Sequence, residues 1–207
     1  MASEIQICNL ALSRLGGYRI QSFNDSSKEA RECALHYPLM RDSVLEDHDW
    51  DFARKRILVA LLYETYTGWA YAYQYPTDCL TIRKILGEAD TVNGISFDEE
   101  TSTPKLGQAE YEVISSATLN RRIILTDKAD AELVYTARVT DPNMFSSLYI
   151  DAAAWRLASD LAIPLKGKPD LQATLVKFYM GTLAKAKASA SNQSFEKPDV
   201  SFVEARR

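Results

Sequence analysis

The stretch WAYAYQY, from Trp69 to Tyr75, decides the fold. An aromatic residue occupies every second position, so Tyr71, Tyr73 and Tyr75 share one predicted face with Trp69, while alanine or glutamine fills the other. A period of two is that of a β-strand, whereas a helix repeats its apolar residues every three or four positions. The stretch therefore predicts a strand in the middle of the chain.

Further strand-like stretches surround this one. An apolar run covers residues 57–63, and shorter stretches cover 82–86, 95–97, 109–114, 122–126 and 131–138. The last two flank the polar tetrad Asp127–Asp130, which predicts that they form a β-hairpin. The run Asp98–Pro104 is polar and rich in residues that break regular structure, which predicts an exposed loop.

Two helices precede the strands. The first, which Ser3 can cap, carries apolar residues on one face from Ile5 to Leu15 and stops at the two glycines Gly16 and Gly17. The second opens with Ser26 and Glu29, the spacing of a capping box. Pro38 lies inside it and is expected to kink the helix or split it in two.

Two more helices follow the strands. Pro142, with Asp141 as its cap, predicts the start of a third helix that ends before Pro164. A fourth helix is expected from Asp170. Beyond about Ser191 the chain is polar and has few apolar anchors, which predicts an extended segment unless a partner holds it.

Separate blocks of helices and strands are typical of the α+β class. We expect a helical bundle core made of residues 1–56 and 139–190, and an inserted antiparallel β subdomain of residues 57–138. Residues 191–207 are expected to form an extended C-terminal arm. Trp50 and Phe52 are expected to close the core between the second helix and the strands.

Composition narrows the class of protein. The 207 residues are 46% hydrophobic and 25% charged, which is typical of a globular protein. The net charge of -4 argues against a protein that grips nucleic acid phosphates, although it is compatible with one that surrounds DNA. Three scattered cysteines indicate reduced folding in a cytoplasm. The sequence shows no signal peptide and no membrane-spanning apolar run.

A search for catalytic chemistry finds only weak candidates. The two histidines, His36 and His48, are too far apart for a helical metal site. Asp47-His48-Asp49 could act in acid–base catalysis, but a solvated helix end explains it better. Cys79 is expected to be a buried structural thiol, because its neighbours are those of a strand. We therefore predict no catalytic residue, no metal and no cofactor.

Two candidates for nucleic acid contact are equally weak. Tyr71, Tyr73 and Tyr75 could stack on single-stranded bases, but no lysine or arginine alternates with them. A packed or subunit-facing surface explains them better. The lysines near the end of the last helix are more typical of a solvated face than of a DNA contact; they are Lys177, Lys185 and Lys187.

Several blocks, in order, resemble the head-to-tail adaptor family of tailed bacteriophages, which is typified by tail tubular protein A. The blocks span nearly the whole chain, and the pair formed by Trp50–Ala53 and Trp69–Leu80 is the most specific. Residues 188–192 depart from the family pattern, since they are rich in serine where an acidic stretch is expected. The resembling blocks are Asn9–Leu12, Arg14–Gly16, Ile20, Ser22, Ala30, Cys33, Tyr37-Pro38, Arg41-Asp42, Leu45, Trp50–Ala53, Trp69–Tyr73, Pro76, Asp78–Leu80, Leu125-Thr126, Arg138–Pro142, Phe145, Leu157-Ala158, Leu161-Ala162, Tyr179, Leu183 and Ala186.

The resemblance implies a structural protein of the virion, assembled in the host cytoplasm, with no catalytic activity. It implies a ring, a dodecamer in this family, between the portal protein and the tail nozzle or tail tube. Genomic DNA would pass through its lumen without specific binding. The C-terminal arm would contact the portal or a neighbouring subunit through its apolar and basic residues, Phe195, Val200, Phe202, Val203, Arg206 and Arg207.

Two other functions stay open on the sequence alone. A virion-associated enzyme, such as a cell-wall hydrolase, would need a carboxylate or Cys/His constellation. A DNA-packaging component would need a more basic surface than this acidic chain suggests.

Overall fold

The computed structural model describes residues 3–86, 96–97, 104–105 and 109–193. The chain is α+β, as predicted, and it divides into two units. One unit combines the chain up to Val44 with the chain from Phe145 onward, and the other extends from Leu45 to Met144. The inserted unit thus begins before the predicted boundary at residue 57, because the end of the second helix is bound to a strand. There, the Arg83 guanidinium donates hydrogen bonds to the carbonyl oxygens of Glu46 and His48, each over 2.9 Å.

Among the described residues, four helices build the first unit, and the second of them continues past Val44 into the other unit. They are α1 (Glu4–Arg14), α2 (Lys28–Asp47), α3 (Ser147–Lys166) and α4 (Pro169–Gln193). Helix α1 follows the prediction: the Ser3 hydroxyl accepts a hydrogen bond from the Gln6 amide, and Gly16 ends the helix with a φ of 61°.

The start and the continuity of α2 differ from the prediction. The capping side chain is Ser27, not Ser26, since its hydroxyl accepts the Ala30 amide over 3.2 Å. Pro38 lies within one unbroken helix, so the expected split does not occur. Proline removes only one backbone hydrogen bond of the helix. The side chains of Tyr37 and Met40, which lie near Pro38 in the sequence, are buried, and their packing stabilises the helix at this point.

Both predicted ends of the third helix are wrong. Pro142 opens a separate 3-10 turn, and α3 starts later, with the Ser146 hydroxyl accepting the Tyr149 amide. The helix also continues past Pro164 to Gly167, whose φ is 64° and whose amide donates to Ile163. A proline near a helix end removes one hydrogen bond at most, so Pro164 does not end the helix. The helix ends at Gly167 because glycine adopts a positive φ easily.

An arginine joins three of these helices. The Arg14 guanidinium on α1 donates to the carboxylate and the carbonyl oxygen of Asp151 on α3. It also lies 3.8 Å from the centre of the Trp155 ring, which stacks on Phe178 of α4 at 4.9 Å. The charged hydrogen bond and the cation–π contact fix α1 to α3, and the stack of Trp155 on Phe178 joins α4 to α3.

The second unit contains two antiparallel sheets, with strand orders β1-β9-β4 and β2-β3-β8-β7. A separate pair, β5-β6, joins Ser96–Phe97 to Pro104–Lys105. The strands are β1 (Arg54–Leu58), β2 (Leu61–Leu62), β3 (Tyr71–Gln74), β4 (Cys79–Leu86), β5 (Ser96–Phe97), β6 (Pro104–Lys105), β7 (Tyr111–Ser116), β8 (Arg121–Thr126) and β9 (Glu132–Ala137). Pro104, which the sequence placed in a loop, is therefore in a strand, while residues 98–103 lie outside the described part.

The predicted hairpin between the last two strands is wrong. Strand β8 pairs with β3 and β7, whereas β9 pairs with β1 and β4 in the other sheet. The segment Asp127–Asp130 therefore crosses between sheets, helped by Asp130 at a φ of 47°. The Tyr73 hydroxyl donates to the Lys128 carbonyl over 2.9 Å and holds the crossing in place.

A core of buried side chains joins the two sheets. The aromatic face of β3 contributes to it, since Tyr73 and Tyr75 are buried there and Tyr71 is partly buried. Trp69 instead packs with Ala72 on the opposite face, because it precedes the strand in a turn. The other main members of the core are Ile124, Ile85, Leu133, Tyr135 and Ala137.

Candidate assembly surfaces

The apolar run at residues 57–63 forms one edge of both sheets. Among the described strands, β1 is the last strand of the first sheet, and β2 is the last strand of the second. Between them, the Val59 amide donates to the Ala131 carbonyl, and the Ala60 carbonyl accepts from the Gln74 amide. One continuous segment therefore changes from one sheet to the other while staying at the edge.

This edge exposes large apolar side chains. Leu58 is 74% exposed, Leu61 is 52% exposed and Tyr63 is fully exposed, and residues 57–63 contain no charge. An exposed edge of this kind is a template for pairing with another chain, and proteins normally protect it with charges or prolines. We call this segment, residues 57–63, the apolar edge. The sequence predicted a strand here, but nothing in the local pattern indicated that it would face solvent.

The basic residues that precede the apolar edge are paired within the unit. Arg54 donates to the Asp49 carboxylate over 2.8 Å, and Lys55 donates to Asp78 over 2.6 Å. Arg56 binds Glu132 through two nitrogens. Because each cation has a nearby carboxylate, these residues do not form a patch of uncompensated positive charge for phosphates.

Helix α2 carries a second exposed apolar surface. Leu35 is 63% exposed and Leu39, one turn later, is 72% exposed. Both lie opposite the buried face formed by Cys33, Tyr37 and Met40. Two leucines on the solvent side of one helix are typical of a face that packs on another protein.

Two residues of the proposed acid–base cluster Asp47-His48-Asp49 make contacts that stabilise the fold. The His48 ring contacts Trp50 edge-on, with 4.7 Å between ring centres, while Asp49 holds Arg54. Within the described residues, no three potential metal ligands of the Cys, His, Asp or Glu types lie together.

The cysteines are buried, as was expected for Cys79. Burial raises the pKa of Cys79, so its thiolate is disfavoured. The thiols of Cys8 and Cys33 share a hydrogen bond, which raises the pKa of Cys8 and lowers that of Cys33. The burial of all three thiols suits packed side chains better than nucleophiles.

The proposed nucleic acid contacts are not brought together either. Tyr73 and Tyr75 are buried in the core between the sheets, where bases could not reach them. Lys177, Lys185 and Lys187 lie on exposed positions of α4. None of the helices in the described ranges is long and apolar enough to span a membrane.

The predicted portal or subunit contacts lie outside the described residues. They are Phe195, Val200, Phe202, Val203, Arg206 and Arg207. Residues 191–193, the first of the predicted extended arm, belong to α4, because no glycine or proline stops the helix there. Residues 191–193 are therefore not extended, and the rest of the predicted arm lies outside the described residues.

The fold and these surfaces define an α+β protein with two units, each of which exposes apolar side chains. No protein-family model matches the chain, and no curated protein matches its sequence.

Proposed function

We propose that this chain is a structural protein of a tailed bacteriophage virion, a head-to-tail adaptor. It forms a ring, a dodecamer by resemblance, between the portal protein and the tail nozzle or tail tube. The ring lines the channel through which the genomic DNA leaves. The protein assembles in the host cytoplasm and acts in the virion without catalysis.

The apolar edge is the observation that carries this proposal. Seven uncharged residues at the edge of two sheets would promote aggregation of a protein that stayed alone in solution. The same surface is useful in a protein whose final state is an assembly, because a neighbouring chain then covers it. The exposed leucines of α2 support the same conclusion for the helical unit.

The residues that carry the family resemblance also have structural roles. Trp50 is buried, Tyr73 and Tyr75 fill the core, and Asp78 connects strands of one sheet. Because these residues make contacts that stabilise the fold, proteins that share the pattern are expected to share the fold. The acidic net charge and the paired cations of β1 suit a channel along which DNA slides.

The mass of the assembled protein tests the proposal. At micromolar concentration, alone or after mixing with the portal protein of the same phage, we expect light scattering to give the mass of a ring. Electron microscopy should show a central channel. DNA binding should be weak and nearly independent of salt. A protein that stays monomeric at every concentration and does not bind the portal would contradict the proposal.

A further inference from the structure

The outer face of α2 combines its apolar pair with an ordered set of charges. Arg31 lies one turn before Leu35, and Glu46 lies two turns after Leu39, all at exposed positions. The face is thus basic towards its start, apolar in the middle and acidic towards its end.

The outer face of α4 has the opposite order of charges. Asp170 is exposed in its first turn, and Lys187 is exposed near its end. Between them lie four further exposed positions, Lys177, Met180, Gly181 and Ala184, and the Met180 side chain is 55% exposed. Gly181 and Ala184 are the small residues of this surface, and they leave room beside Met180.

Gly181 has no role inside the described chain. Apart from its chain neighbours and its own helix backbone, a Cβ atom at this position would meet no described atom within 4 Å, so packing against the rest of the described chain does not require a glycine. Glycine inside a helix is less favourable than alanine. Glycine on the exposed face of a helix allows another backbone or side chain to approach closely.

We propose that α2 of one copy packs in parallel against α4 of the next copy in the ring. With 1.5 Å of rise per residue, Arg31 and Glu46 are about 22 Å apart and Asp170 and Lys187 about 26 Å apart, so both charge pairs can form at once. When Glu46 lies opposite Lys187, Leu39 falls against Met180 and Gly181. Arg31 then falls within reach of Asp170.

The parallel arrangement follows from the charges. An antiparallel arrangement would place Glu46 near Asp170 and Arg31 near Lys187, so that like charges repel. The two faces belong to one chain and differ from each other, so their contact is head-to-tail. Repetition of a head-to-tail contact closes a ring when the rotation permits. The inference rests on the proposed function, because it names the contact that forms that ring.

A charge exchange tests the contact directly. Glu46→Lys and Lys187→Glu should each raise the concentration at half-assembly by about tenfold, and the double variant should recover most of the loss. Sedimentation velocity measures the assembly, and circular dichroism confirms the fold of each variant. Recovery in the double variant requires the two side chains to be neighbours across copies.

Substitution of Gly181 tests the apolar part of the contact between α2 and α4. Gly181→Leu should block assembly while the monomer stays as stable as wild type, whereas Gly181→Ala should assemble nearly normally. Leu35→Ser with Leu39→Ser should also prevent assembly, and Tyr18→Ser, which changes a side chain that is 84% exposed, is the matched control.

The outcomes separate this inference from the proposed function. If wild type forms rings but the double charge variant does not recover, or Gly181→Leu assembles like wild type, the helix contact is wrong and the adaptor function stands. If wild type forms no ring alone or with portal protein, both proposals are overturned.

Discussion

At the scale of single residues, Asp78 shows how one carboxylate can fasten several strands. Its side chain accepts hydrogen bonds from Lys55 of β1 and, over 3.0 Å, from the Tyr135 hydroxyl of β9. Its carbonyl accepts the Arg138 amide over 2.7 Å. Asp78 also directly precedes β4, so it fixes the relative positions of all three strands of that sheet.

Asp78→Asn should destabilise the protein in a pH-dependent way. Burial opposes ionisation of Asp78, but the hydrogen bonds from Lys55 and Tyr135 outweigh it and lower its pKa. A lowered folded-state pKa stabilises the protein above the unfolded-state pKa, and this contribution is lost as the pH falls through the folded-state value. Because the Asp78 side chain is 37% exposed and solvent screens its ion pair, we expect a cost of at most about 1 kcal/mol at pH 7 that disappears in acid.

Chemical denaturation at several pH values measures this cost. Exposed Glu110 gives the matched control, and Glu110→Gln should leave the stability unchanged at each pH. An equal cost of Asp78→Asn at pH 7 and at pH 2.5 would contradict the assigned role of the charge.

Trp50→Ala should be among the most damaging single substitutions. Trp50 is 4% exposed and contacts both His48 and Phe52, whereas Phe52 itself is only partly buried. Removing a buried indole costs about 3–5 kcal/mol, a large part of the ~5–15 kcal/mol that stabilises a typical domain. Thermal unfolding or recovery of soluble protein tests this, with Tyr18→Ala as an exposed control. An unchanged melting temperature would refute the prediction.

At the scale of elements, the apolar edge behaves differently from an ordinary edge strand. The start of β1, which precedes the apolar edge, carries Arg54, Lys55 and Arg56, and these charges protect it from unwanted pairing. The apolar edge itself has no such protection and joins a second sheet at β2. The change from protected to unprotected edge occurs within one continuous piece of chain.

Substitution of Leu58→Lys together with Leu61→Lys should keep the protein folded and reduce its assembly with the portal and tail proteins. Both side chains are at least half exposed, so their replacement costs little in the monomer. Lysine at an edge opposes pairing with another chain. Size-exclusion chromatography with light scattering measures the assembly, and Met144→Lys, at a position 54% exposed, is the control. Complete assembly of the double variant would show that the apolar edge is not covered by a partner.

At the scale of the whole molecule, the C-terminal arm gives a further prediction. Residues 194–207 contain four apolar residues, Phe195, Val200, Phe202 and Val203, among polar and charged ones. Four anchors worth about 1.5–3 kcal/mol each cannot offset the ordering of fourteen residues at ~1–2 kcal/mol each. In the proposed ring, many linked copies would raise the effective concentration of every arm, so that even weak binding of each arm would suffice.

Truncation before Ser194 should therefore spare folding and abolish attachment to the portal, and Phe202→Ala should weaken it. Co-sedimentation with portal protein measures attachment, and the melting temperature reports folding. Limited proteolysis of the free protein gives an independent check: if residues 194–207 resist cleavage as well as the helices do, the docking role is wrong.

The sequence by itself determined the class of the fold and most of its elements. The aromatic alternation around Tyr71 and Tyr73 predicted β3 and its buried face, and Ser3 with Gly16 predicted both ends of α1. These features depend on interactions a few residues apart, such as caps, glycine conformations and side-chain period, which local sequence records. The same local reasoning wrongly predicted that α3 ends before Pro164, because the single hydrogen bond that a proline removes near a helix end is too small a loss of free energy to stop the helix.

Only the tertiary structure decided which strands are neighbours and which apolar residues face solvent. The tetrad Asp127–Asp130 has the composition of a hairpin turn, yet the hydrogen bonds of β9 with β1 and β4 place it in the other sheet. Leu58 and Leu61 look like core residues in sequence and are exposed because their segment ends both sheets. Strand pairing is set by contacts between residues far apart in the chain, and the free energy of those contacts depends on the whole packed unit.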